Sequence, residues 1–162
     1  MTSARRRRDA VVGGLVGTAV MTASLALESR LRPHGDGPVD YDASDHVVIA
    51  AAKVTRWNPR TPAGRRVLFN LVHWGYGSVV AVEYEQFRRA LGGSDAAASA
   101  AFYASCQGMA FTLFPLLGDT PPPWRWRRSL LASSIGQHAL YVVTVSAVSR
   151  RLSARSRSSR AV

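Results

Sequence analysis

Four long apolar runs divide the chain, each bounded by charge or by turn residues. Residues 10–27 carry no charged side chain and end on Glu28, Ser29 and Arg30. Residues 67–82 follow Arg65 and Arg66 and stop at Glu83, Glu85, Arg88 and Arg89. Residues 96–117 follow a Gly92-Gly93-Ser94 turn and close on Pro115 and a Pro-rich loop. Residues 129–148 lie between Arg127-Arg128 and Arg150-Arg151. A helix rises 1.5 Å per residue, so about twenty apolar residues cross a bilayer. The pattern predicts an all-α, four-helix transmembrane bundle with spans at about 10–29, 66–86, 96–117 and 129–149. The second apolar run is the shortest, rising roughly 24 Å. Arg65 and Arg66 can snorkel, and Tyr84 and Phe87 lie beyond the acids, which makes up the length. A basic start followed by an apolar run also describes a signal peptide. The length of the run and the lack of an Ala-x-Ala exit favour a span.

The connection between the first two spans is long. Pro33, Gly35, Gly37 and Pro38 make its start irregular. Residues 43–57 read as an amphipathic helix, capped by Asp42 or Ser44, with Val47, Val48, Ala51 and Val54 on one face. It would lie in the membrane interface or pack across the bundle mouth. Asn58-Pro59 and Thr61-Pro62 end it. Gly13 and Gly17 form a GxxxG, and Gly77 and Gly108 sit among small residues. These positions suit close helix packing, within the bundle or in a homo-oligomer.

Charge changes the picture only through its placement. The net charge is +11, from twenty Arg and Lys53 against ten acids. Such a balance suggests nucleic acid, but no zinc-finger, helix-turn-helix or single-strand-binding pattern accompanies it. The Arg clusters flank the apolar runs, where anionic lipid headgroups would meet them. Residues 1–9 read as a basic cytoplasmic tail and residues 150–162 as a basic disordered tail. Trp57, Trp124 and Trp126 read as interface anchors. Four spans place both termini on one side. That side holds eleven Arg and the other ten basic residues, so totals do not decide. The terminal clusters abut the spans directly, which predicts cytoplasmic termini. The lone Cys106 excludes an intrachain disulfide and a multi-Cys metal site.

Polar groups inside a span are costly and usually face the bundle interior. Six of these residues and Tyr141 therefore stand out. Glu28 lies near the outer end of the first span, Asn70 and His73 share a face of the second, and Gln107 is near mid-span in the third. Gln137 and His138 lie in the fourth, with Tyr141 one turn on from His138. His73 and His138 enter from the same side at depths of roughly 9 and 13 Å. The set predicts an outward-facing polar cluster that binds a small ligand, proton or ion. Glu28, His73 and His138 would alternatively hold a divalent metal, or the two histidines a haem in a membrane redox protein. The plainest alternative is a scaffold in which these groups only hydrogen-bond across helices. No Ser/His/Asp set, phosphate loop or Cys pair marks a catalytic residue, so the leading reading is a non-enzymatic membrane protein without a cofactor.

The order of these features resembles the YagU-like family of bacterial inner-membrane proteins, loosely over residues 10–33 and better over 70–145. GGLVGTAVMTASLALESRLRP resembles that family's first helix, with Glu28 as the matching acid. HWGYGSVVAVEY matches through His73 and Tyr84, and QGMAFTLFPLLGDTPPPW is the most specific piece. GQHAL matches through His138. Residues 34–64 depart from the pattern, as does Asp119. The family lends no established activity, so the resemblance implies a multi-span fold and a bacterial inner-membrane location rather than a mechanism.

Overall fold

The computed structural model describes residues 3–31 and 43–158. The predicted irregular start of the first connection (Pro33 to Pro38), the Asp42 cap and His34 lie outside these residues. The described secondary structure is helical throughout: α1 (Ser3–Leu31), α2 (Ala43–Thr55), α3 (Pro62–Val79), α4 (Ala81–Ala90), α5 (Asp95–Leu117), a short 3-10 turn (Pro123–Arg125) and α6 (Arg128–Ser158). The starts follow capping rules. Thr61 precedes α3 with extended backbone, Pro62 sits at its first position, and the Thr61 hydroxyl accepts from the Gly64 amide at 3.1 Å. Ser94 caps α5 through the Ala97 amide.

Three helical segments are long and apolar enough to cross a membrane by length and composition: Arg5–Leu31, Asp95–Leu117 and Arg128–Arg155. The predicted second span is divided between α3 and α4. Only Val80 separates them, and its φ and ψ of −61° and −26° are still helical. The interruption coincides with side-chain hydrogen bonds to the backbone around it. The Tyr141 hydroxyl donates to the Gly77 carbonyl, Ser78 Oγ donates to the Trp74 carbonyl, and the Glu83 amide takes a tighter bond to Val80. Side chains inserted into the backbone ladder in this way are a recognised origin of helix breaks.

Residue pairings set the directions of the rods. Against α1, Gly14 meets Ala81, Thr18 meets Gly77 and Thr22 meets His73, so α1 and the α3–α4 rod run antiparallel. Glu83 with Ser105 and Tyr76 with Met109 reverse the chain again into α5. Phe102 with Tyr141 and Gln107 with Ser134 reverse it into α6. Gly13 by Ser149 and Glu28 by Ser133 bring α6 antiparallel onto α1. The start of α1, the α4–α5 turn and the end of α6 therefore share one end.

The core joins Val80, Ala81 and Tyr84 of the α3–α4 rod to Ala98, Phe102 and Cys106 of α5 and Tyr141, Val142 and Val145 of α6. Helix α1 enters this core through glycine. Gly13 and Gly17 face α6, and a Cβ on Gly17 would lie 2.8 Å from the Tyr141 ring. Gly14, one position round the helix, faces α3, where a Cβ would lie 2.5 Å from the Gly77 carbonyl. Gly77 in turn abuts Thr18. Gly108 does not belong with these: a Cβ there meets nothing within 4 Å, because its face of α5 is exposed.

Helix α2 packs on α3, with Val48 and Ala51 against Leu68, Phe69 and Val72. His46 Nδ1 bonds the Gly118 carbonyl at 2.6 Å and Lys53 pairs with Asp119 at 2.5 Å. It thus packs across helix ends, as one of the two sequence readings has it. The disorder predicted from residue 150 is corrected over the described part of that tail. Helix α1 begins at Ser3, and α6 continues to Ser158 rather than fraying at residue 150. Ser149 and Ser153 are buried, and Ser149 abuts Gly13, so packing on α1 extends α6 beyond its apolar part.

Candidate functional site

Two faces of α1 organise the polar residues. Residues 14, 18 and 22 repeat every fourth position and face α3. The Thr18 hydroxyl donates to the Gly14 carbonyl and the Thr22 hydroxyl to the Thr18 carbonyl, at 2.9 and 2.7 Å. Thr22 Oγ also lies 2.9 Å from His73 Nε2. Its single proton is used on Thr18, so His73 Nε2–H is the donor in this arrangement, leaving Nδ1 with the lone pair. The ring stacks on Phe69 at 5.2 Å and meets Trp74 edge-on.

Ser24 and Glu28 face α6 instead. Ser133 Oγ donates to Glu28 Oε2 at 2.7 Å. Gln137 Nε2 donates to the same oxygen and to Ser24 Oγ, each at 3.1 Å. Both amide protons are thereby used, and Gln137 Oε1 is buried with no hydrogen-bond partner. On the other flank of α6, Gln107 Nε2 donates to Ser134 Oγ at 3.2 Å. His138 Nδ1 donates to the Ser134 carbonyl at 2.8 Å. Gln107 is 6 % exposed, and its Oε1 also has no partner. Ser133 and Ser134 thus take part in the polar arrangement.

The sequence-predicted residues do not form one cluster. Glu28 and Gln137 are joined, Gln107 and His138 meet through Ser134, and His73 stands with Thr22. Tyr141 is buried and donates to the Gly77 carbonyl. Asn70 is exposed and its amide turns back to the Arg66 carbonyl at 2.9 Å, so it leaves the set. Among the described residues, no three of His, Cys, Asp and Glu assemble around a possible metal ion. The expected Glu28–His73–His138 metal triad is therefore not gathered. The cause is helical phase: Glu28 lies on the α6-facing side of α1, whereas His73 reaches the side that faces α3. Trp124 is exposed, as is Trp57, but Trp126 is half-buried, donates to the Pro121 carbonyl and packs edge-on against Phe111.

Glu83 was legible only as part of a polar exit. It is half-buried, and its carboxylate accepts from Ser105 Oγ at 2.8 Å. The E-Y-E spacing of residues 83–85 gave no sign of which side faces α5. Comparison of the chain with protein-family models, curated proteins and solved structures found no match.

Proposed function

We propose that the chain is a four-span integral membrane protein with both termini cytoplasmic, and that its outer polar cluster binds a small cation or a proton. Three helices long and apolar enough to span a membrane support insertion, and we assign the fourth crossing to the α3–α4 rod because it runs antiparallel to α1. The observation that carries the ligand reading is a buried acceptor beside Glu28: both amide protons of Gln137 are used, while its own oxygen is buried with no hydrogen-bond partner. A buried acceptor without a donor costs about 1–3 kcal/mol, and a small cation or a proton donor removes that cost. The opposite end favours anionic lipid. Arg7, Arg8, Arg89, Arg150, Arg151 and Arg155 are exposed there, while Asp9 and Glu85 are buried. Headgroup phosphates are the complementary partner.

Melting of the protein in nanodiscs tests the ligand, with sodium, potassium, ammonium and methylammonium compared with bulky choline at equal ionic strength. At least one small cation should raise the midpoint, and Glu28→Gln should remove the rise. No rise with any of them, or an undiminished rise in Glu28→Gln, contradicts the assignment.

A further inference from the structure

We propose that Glu83 is a second, deeper site: an intramembrane carboxylic acid that holds an exchangeable proton. This rests on the four-span reading. Its position comes from its partner. Ser105 lies ten residues beyond Asp95, about 15 Å along the helix, with about 18 Å remaining to Leu117. The Glu83–Ser105 contact at 2.8 Å therefore falls at the middle of an apolar span. The carboxylate is half-buried between α4 and α5, and among the described residues no Arg or Lys pairs with it.

The titratable neighbours along the chain bring no positive charge. Tyr76 lies two turns earlier on the same rod, and Cys106 follows Ser105 on α5. Phenol and thiol groups carry no charge near neutral pH. From α1 this level receives Gly14, which abuts Ala81 and cannot titrate. The charged neighbours on its own rod are turned elsewhere: Arg88 pairs with Asp95 at 2.5 Å, and Arg89 bonds the Glu85 carbonyl. An uncompensated carboxylate at mid-bilayer is costly, whereas the protonated acid is tolerated. The interruption at Val80 is one turn away, in the part of the rod where the backbone ladder is already opened. Broken helices at this depth are where membrane bundles place proton and ion sites.

Carbodiimide labelling tests the site in full-length protein in proteoliposomes, read by peptide mass spectrometry. Apolar dicyclohexylcarbodiimide partitions into the bilayer. The O–H of a protonated acid adds across its C=N bond, the oxygen bonding to carbon and the proton passing to nitrogen. Glu83 should be modified several-fold faster than Asp119, whose side chain is 65 % exposed, and Glu83→Gln should lose that adduct. A water-soluble carbodiimide should show the reverse preference. Reaction of Glu83 with the water-soluble reagent as fast as Asp119 means that water reaches it, and the four-span reading fails there. Absence of reaction with both reagents overturns the proton site alone. Glu83→Gln, a mimic of the neutral acid, should also melt like the parent protein; a large loss would mean that the negative charge is needed, against the proposal.

Discussion

Replacing Gly14 with Ala should separate α1 from the α3–α4 rod. The added Cβ would lie 2.5 Å from the Gly77 carbonyl oxygen, 2.8 Å from the Ser78 carbonyl oxygen and 2.9 Å from Ala81 Cβ. The first is about 0.9 Å inside the 3.4 Å at which ordinary contact begins, and the obstructing atoms are two backbone carbonyl oxygens and an alanine Cβ, so no rotamer change relieves it. Alanine gains about 1 kcal/mol over glycine in helix propensity. Overpacking costs typically 1–3 kcal/mol. Moving the rods apart by most of an ångström also forfeits a quarter to a half of each dispersion contact at the crossing. The net expectation is a loss of about 2 kcal/mol, or roughly 4–8 °C in melting midpoint for a chain of this size. Gly108→Ala is the control. Its Cβ meets nothing, so the propensity gain stands alone and the midpoint should rise by roughly 2–4 °C. Thermal unfolding followed by circular dichroism in one detergent compares the two. Equal effects of the two substitutions, or a Gly14→Ala protein as stable as the parent, would refute the close approach of α1.

Other substitutions grade the remaining contacts. Tyr141→Phe removes the donor to Gly77 and should cost about 1–2 kcal/mol by the same melting assay, since the carbonyl is left in a dry core. Thr61→Ala removes the α3 cap and should cost about 1 kcal/mol, while Thr61→Ser should restore most of it. Lys53→Ala should cost less than about 0.5 kcal/mol, and any effect should fade with added salt, because the side chains of Lys53 and Asp119 are 45 % and 65 % exposed.

The elements were readable where hydrophobic period and punctuation agree. Residues 96–117 matched α5 almost residue for residue, because Ser94 caps its start and Gly118 closes its end. The interruption at Val80 was not readable, since it depends on a hydroxyl sixty-four positions away at Tyr141. The end of α6 was missed for a similar reason: Arg- and Ser-rich sequence looks disordered until Gly13 supplies a surface for Ser149. Gly14 was hidden beside the Gly13–Gly17 motif, although two adjacent glycines on a helix point to two neighbours, which α1 has. For the polar residues, sequence identified which ones lay in apolar surroundings. It did not show their azimuth, which separates Glu28 from His73, turns Asn70 outward and brings Glu83 against Ser105.

The central claim is that the α3–α4 rod crosses the membrane despite its interruption and its two acids. In a Cys106→Ser background, single cysteines at Asn58 and Ala90 stand ahead of that rod and at its last residue, both at exposed positions. With a membrane-impermeant maleimide applied to spheroplasts, Asn58→Cys should label at once and Ala90→Cys only after lysis. Labelling of both positions from the same side would contradict the four-span arrangement.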